Sequence, residues 1–357
     1  MRIVSVFAVG GLALSAAACG EAPKDNKGGG DAASKYTACM VTDTGGIDDK
    51  SFNAGAWAGL QAAQKAQSNV EPKYVASAAE ADYQPNLTQF VNQKCNFILA
   101  VGGLMGDATK KAAQTHTAQE FGIVDSKIAD VTNVYPMQFD TAQAAFLAGY
   151  LAAGYSKSGI VGTYGGMKIP PVTIFMDGFA DGVAHFNKTK NKTVKVVGWD
   201  KAAQNGTFAD VFTDQAKGKS ISDTFVAQGV DVIMPVAGGT GLGTAAAAQQ
   251  SAGKFSVIWV DSDGCKSAAQ YCSAFLSTVE KGIAGAVEQA VVAGAKGEKL
   301  DNAKGYVGTL ANNGVSLAPY HEFDSKVPAE LKSEIEKLKA DIVAGTIKVE
   351  SPNSPTK

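Results

Sequence analysis

Val41-Thr42-Asp43-Thr44-Gly45-Gly46-Ile47-Asp48-Asp49-Lys50-Ser51-Phe52-Asn53 leaves an apolar strand, turns on two glycines and enters a helix. Tyr36 to Thr42 reads as the strand. Ser51 to Gln67 reads as the helix, with Phe52, Ala56, Gly59, Leu60 and Ala63 on one face. Ser51 is its expected N-cap. Strand, tight turn and helix in this order open an α/β sheet, where ligands bind beyond the carboxyl ends of the strands. Asp43 is therefore expected to project into a cleft, with Phe52 and Asn53 beside it on the first helical turn. A carboxylate, an amide and an aromatic face together suit a flat ring bearing N–H groups. The same residues also fit a solvated loop, with Asp48 and Asp49 complementing the helix N-terminus and Phe52 in the core. The acidic spacing does not fit a Ca²⁺ loop.

The alternation continues outward from this unit. Apolar strands at Phe97 to Val101, Gly159 to Tyr164, Val230 to Val236, Val257 to Val260 and Phe275 to Thr278 alternate with helical stretches, among them Asp107 to Phe121, Thr141 to Tyr155 and Phe208 to Gln228. Uninterrupted apolar strands fit parallel sheets covered on both faces. About 320 residues remain beyond the N-terminal segments, more than one core usually holds. The pattern predicts two doubly wound lobes with three crossings, near 135–141, 261–274 and 311–318. Lobe 1 is expected over 36–137 plus 265–310, and lobe 2 over 138–264 plus 311–350.

Two further strand ends carry polar residues. Ala237-Gly238-Gly239-Thr240-Gly241-Leu242-Gly243-Thr244 follows a strand and opens a helix. Its Gly241-x-Gly243-x-x-Ala246 pattern, with Asp261 downstream, weakly matches a dinucleotide fingerprint. It equally fits a backbone turn approaching a polar ligand, or tight strand-to-helix packing. Trp259-Val260-Asp261-Ser262-Asp263-Gly264 and Ser277-Thr278-Val279-Glu280-Lys281 place an Asp and a Lys where each could hydrogen-bond sugar hydroxyls. A surface Asp and a solvated Lys are the plainer reading. No Gly-x-Ser-x-Gly elbow, HExxH or Walker A motif occurs, and nothing in the pattern places two carboxylates across a cleft for glycoside hydrolysis.

The N-terminus gives an address. The apolar run Ile3 to Ala18 is shorter than the roughly 20 residues that span a bilayer. Leu12-Ala13-Leu14-Ser15-Ala16-Ala17-Ala18-Cys19 looks like a bacterial lipoprotein signal, although Ala16 stands where Leu is commonest. The expectation is a signal peptide over 1–18, then a lipidated Cys19 and a flexible tether over 19–35, holding the protein on the extracytoplasmic face of a cell membrane. Ordinary signal cleavage and a retained anchor are the other readings. Loss of Arg2 with the signal moves the formal charge from −2 to −3. Such a chain gives no electrostatic reason to expect nucleic acid as a partner. With Cys19 lipidated, four cysteines remain and allow three pairings. Cys39–Cys95 with Cys265–Cys272 is favoured, because the first two begin apolar strands and the second two enclose a short loop. CxxC spacing is absent and His116, His185 and His321 are unclustered, so no metal is expected.

Taken together, these segments resemble the basic membrane protein family, lipid-anchored substrate-binding proteins of ABC importers that include purine nucleoside receptors. Asp43 to Asn53 carries the most specific likeness. Ala144 to Ala153, Gly165-Gly166, Gly178-Phe179, Gly229 to Ile233, Ala237 to Gly243, Val260-Asp261 and Ser277 to Lys281 follow in order. The resemblance implies a type I periplasmic-binding-protein fold, two doubly wound parallel-sheet lobes joined by a three-crossing hinge. It also implies nucleoside capture without catalysis or cofactor, by a monomer that delivers to an ABC permease. Asp43 and Asn53 would hydrogen-bond the base, Phe52 would stack on it, and Asp107 would also reach it. Gly238, Asp261 and Lys281 would hold the ribose. A second stacking aromatic is expected from lobe 2, with Phe208 the candidate and Trp199 the reserve. The Cys265–Cys272 loop departs from the family pattern and bears on ligand identity. Another small polar ligand such as a sugar, or an extracytoplasmic NAD-type oxidoreductase, are the competing functions.

Overall fold

The computed structural model describes residues 34–355. The signal, Cys19 and nearly all of the tether lie outside them. The first sheet collects β1 (Tyr36–Thr44), β2 (Val70–Ser77), β3 (Phe97–Val101), β4 (Glu120–Val124) and β5 (Val134–Phe139). The second takes β6 (Ile160–Gly165) and β7 (Lys195–Val197). A hairpin of β8 (Trp199–Asp200) and β9 (Asn205–Gly206) follows. The second sheet then resumes with β10 (Val232–Val236), β11 (Ser256–Asp261) and β12 (Phe275–Lys281). The chain returns to the first sheet for β13 (Tyr306–Gly308) and ends in the second with β14 (Val315–Leu317). The orders are β2-β1-β3-β4-β5-β13 and β7-β6-β10-β11-β12-β14. Every pairing within the two sheets is parallel except β12 with β14. Strands β3 and β10 are buried along their whole length, as helices on both faces require.

The helices are α1 (Phe52–Ala66), α2 (Tyr83–Asn92), α3 (Gly106–Thr115), α4 (Thr141–Tyr155), α5 (Pro170–Lys190), α6 (Gln215–Ala227), α7 (Gly241–Gln250), α8 (Gly264–Ser267), α9 (Ile283–Ala295) and α10 (Ala329–Val343). Small residues let α4 and α5 approach closely: a Cβ at Gly149 or Gly182 would lie 2.0 Å from a carbonyl oxygen of the other helix. Helix α10 buries Leu331, Ile335, Leu338 and Ile342. Beyond it, Ser354 Oγ donates to Asp140 Oδ1, 2.9 Å away, at the first crossing.

The chain passes between sheets three times: at Phe139–Thr141, at Lys281–Ile283 and between β13 and β14. The middle passage corrects the sequence expectation. The segment 261–274 does not change sheets, because β12 pairs with β11 in parallel register, Trp259 opposite Thr278. The apolar face of 275–281 is thus completed inside the second sheet. Another correction concerns 208–214, expected as helix. Phe208 makes a strand-like bridge with Gly165, and α6 starts only after Asp214, whose carboxylate accepts from Ala216 N and Lys217 N. Both disulfides form as the favoured pairing expects, Cys39–Cys95 tying β1 to the turn before β3 and Cys265–Cys272 closing the loop before β12.

Candidate functional site

Carboxyl ends of strands from both sheets open on one cavity. It contains about 550 Å³ of empty space including its mouth, and Asp43 and Lys281 both line it. One end is built by the quoted stretch. After β1 the chain turns through Gly45 (φ 120°) and Gly46 (φ 61°) and enters α1. Asp49, rather than Ser51, satisfies the helix start: its carboxylate accepts from the backbone N–H groups of Ser51, Asn53 and Ala54. That frees the Ser51 hydroxyl to donate to Asp261 Oδ2 at 2.6 Å. On the first turn, Asn53 Nδ2 donates to Asp43 Oδ1 at 2.9 Å. Asn53 Oδ1 is buried with no hydrogen-bond partner among the described residues. Gly102 (φ 113°) fits here because a Cβ would sit 2.3 Å from Asp43 Oδ2.

The other end is an ion cluster. Asp125 ends β4 and Asp261 ends β11, both in the left-handed region with φ of 64° and 68°. Strained backbone of this kind concentrates at functional sites. Lys281 Nζ lies 2.6 Å from Asp125 and 3.5 Å from Asp261, all three side chains nearly inaccessible. The ammonium also sits 4.9 Å from the Phe175 ring centre and 5.0 Å from that of Phe52. Burial pulls the Lys281 ammonium down, but Asp125 and then Asp261 outweigh it, so the net direction is up. Among the described residues, no cation answers the Asp43–Asn53 pair in this way. Burial, opposed by the Asn53 hydrogen bond and reinforced by Asp49, Asp125 and Asp261, pushes Asp43 up to about 8. Burial likewise pushes Asp49 up to about 6 despite its three N–H donors.

Of the expected residues, Asp43, Phe52, Asn53, Gly238, Asp261 and Lys281 line the cavity together. Asp107, Phe208 and Trp199 are not among its lining residues. Asp107 is exposed in the first turn of α3, which follows a 3₁₀ turn over Gly103–Met105. Phe208 packs edge-on against Trp199, and the indole N–H donates to buried Asp177 at 3.0 Å. Phe212 and Phe175 line the cavity instead, with Asp125. Asp125 had a readable signal: Val124-Asp125-Ser126 repeats Val260-Asp261-Ser262, each at the end of an apolar strand. Phe212 had none, being on an irregular turn. His321 is less isolated than the sequence suggests, since its Nε2 lies 3.0 Å from both oxygens of Asp263. Cys265 stands near this pair but is bonded to Cys272, and Lys266 also pairs with Asp263.

Residues 36–353 match the family model described as ABC transporter substrate-binding protein PnrA-like. The chain is 36% identical over 251 residues to a CD4+ T-cell-stimulating antigen of Listeria innocua, covering 69% of this chain and 66% of that protein. It is 30% identical to the ABC transporter nucleoside-binding protein BmpA of Lactococcus lactis, covering 98% of this chain and 99% of that one. Among solved structures, an ABC transporter solute-binding protein of Aeropyrum pernix superposes with a TM-score of 0.79 at 22% identity, covering 89% of this chain and 94% of that one. That likeness speaks to the fold, a periplasmic-binding-protein architecture. This chain belongs to the PnrA-like family of ABC transporter substrate-binding proteins, which bind a solute and are not enzymes.

Proposed function

We propose that the protein captures a purine nucleoside outside the cytoplasm, anchored by lipid on Cys19, and delivers it unaltered to an ABC permease. The observation that carries this reading is the pairing of unlike ends in one cavity. Asp43 and Asn53, with an unsatisfied buried acceptor, suit a base edge. Ser51, Asp125, Asp261 and Lys281 suit a pentose bearing adjacent hydroxyls. Phe52 stacks on one face of the base, and Phe212 or Phe175 replaces Phe208 as the aromatic opposite. Gly238 brings backbone close to the sugar. The two lobes, moving about the three passages, close over the ligand. The Lactococcus relative's printed description as nucleoside-binding supports the same class.

Titration calorimetry with inosine, guanosine, adenosine, 2′-deoxyguanosine, ribose and NAD tests it. Nucleosides are expected to bind, with the deoxy analogue weaker by about 1–3 kcal/mol, because a buried polar group of the ribose end loses its partner. Binding of ribose or NAD, with every nucleoside silent, would replace this reading by a sugar or dinucleotide one. Mass spectrometry of the intact lipoprotein tests acylation: an unmodified Cys19, or a chain beginning elsewhere, refutes the anchor.

A further inference from the structure

Asp43 and Asn53 share a hydrogen bond and both line the cavity, so together they bring polar atoms of unequal kind to an incoming base. Asn53 commits an Nδ2 hydrogen to Asp43 Oδ1, so its Oδ1 can only accept, and no donor among the described residues reaches it. Asp43 Oδ2, packed against Gly102, has two states: ionised it accepts, protonated it donates. Building on the nucleoside reading above, we infer that the proton on Asp43 selects which purine edge the cleft reads.

Without the proton, Oδ2 and Asn53 Oδ1 are both acceptors. They match the adjacent N1–H and N2–H donors of guanine. With it, the pair is a donor beside an acceptor, which matches N1 and N6–H of adenine. The wrong combination sets two acceptors, or two donors, face to face in a buried site, and such a mismatch costs more than a missing bond.

The surroundings make the protonated state accessible near neutrality. Among the described residues, the groups facing Asp43 are Asp49 before α1, Tyr83 on α2, Asp125 at the end of β4, Asp261 at the end of β11 and Lys281 at the end of β12. Three carboxylates and a phenol stand against a single ammonium, and that ammonium is held by Asp125 and Asp261. Burial, with Asp49, Asp125 and Asp261, is what lifts Asp43 to about 8. Asp49 changes charge in the same range, but it faces backbone N–H groups of its own loop. Its charge also raises Asp43, so its titration alters the steepness of the ratio's pH dependence but not its direction.

Calorimetric dissociation constants for guanosine and adenosine at pH 6, 7 and 8 test the inference. Guanosine binding should strengthen by up to tenfold per pH unit while adenosine binding stays flat or weakens. The ratio of the two constants should therefore move roughly a hundredfold across the series. Asp43→Asn fixes a donor at this position: it should keep adenosine, lose guanosine and show no pH trend. The wild-type series decides alone should that variant fail to fold. A ratio steady within about twofold, with both nucleosides bound, overturns the inference and leaves the nucleoside reading standing. Silence of both at every pH overturns the two together.

Discussion

The two ends of the cleft solve the burial of carboxylates in opposite ways. At the end formed by Asp125 and Asp261, Lys281 sits between the acids, the Ser51 hydroxyl supports one of them, and three phenyl rings lie within 6 Å of the ammonium. At the Asp43 end an amide does the same duty and carries no charge. Among the described residues, the Asp43 end has no counter-charge, while at the other end Lys281 opposes the upward push that burial gives the Asp125 carboxyl. A buried ion pair needs good geometry to offset its desolvation, whereas a lone buried acid escapes the cost by keeping its proton. The ion-paired end suits a ligand part that never varies, such as a pentose, and the adjustable Asp43 end suits a part that does.

Removing the cation should break the contrast most severely. Lys281→Met leaves Asp125 and Asp261 buried without a counter-charge. Urea denaturation at pH 7 should show a loss of about 3–5 kcal/mol. The loss should shrink in acid as Asp125, which burial already pushes up, takes up a proton. A variant as stable as wild type at pH 7 would mean the cluster is far better solvated than its burial indicates.

The uncompensated end makes the next largest prediction, and its sign is opposite to the usual one for an acid. Asp43 holds its proton up to about pH 8 when folded but releases it near 3.8 when unfolded. The native state therefore binds the extra proton between these values. Its contribution is fully present at the acidic side and fades as pH rises toward 8, by up to about 1.4 kcal/mol per pH unit. Asp49, lifted to about 6, acts in the same direction over the lower part of that window. Asp43→Asn should flatten the slope of ligand-free stability against pH. Parallel slopes for variant and wild type would show that the acid is ionised throughout.

Gly102 sharpens the comparison further, because it holds the adjustable end in shape. Alanine there has the wrong φ and a Cβ overlapping Asp43 Oδ2. Gly102→Ala should cost about 1–3 kcal/mol of stability and displace the carboxylate that reads the base. Affinity for nucleoside should fall while the Lys281 cluster keeps its pH behaviour. Unchanged affinity would mean Asp43 does not touch the ligand.

What could be read from the sequence follows the same division. Residues at strand ends were legible: Asp43 and Asp261 follow apolar runs whose carboxyl ends must meet a cleft in any doubly wound sheet. Lys281, by contrast, was expected inside a helix from Val279 and was tied to the ribose by the family resemblance, the strand in fact running on to it. Asp49 at the helix start was legible as a charge favouring free N–H groups. The sheet assignment of 275–281 was not, since an apolar strand carries no mark of which sheet will pair with it. Nor was the irregular stretch 208–214, where Asp210 adopts φ 57° and the helix waits for the Asp214 cap. The helix expected from Phe208 extended a helical pattern over a segment whose conformation is set by tertiary contact with Gly165.

That segment supplies the smallest and most discriminating prediction. Phe208 and Phe212 are four residues apart, both half-buried, and identical in chemistry. Phe208 faces Trp199 and Gly165, where it holds the hairpin to the sheet. Phe212 lies over Gly166 and Gly238 and lines the cleft. Phe208→Ala should therefore lower stability by about 1–2 kcal/mol through lost packing and leave the dissociation constant of the nucleoside nearly unchanged. Phe212→Ala should do the reverse. It removes a stacking face worth about 0.5–1.5 kcal/mol, a roughly two- to tenfold loss of affinity, with little change in melting temperature. Calorimetry and thermal denaturation on both variants separate the cases. If Phe208→Ala costs the affinity and Phe212→Ala the stability, the aromatic wall was placed correctly by the family pattern, and the cleft as drawn here turns the wrong ring toward its ligand.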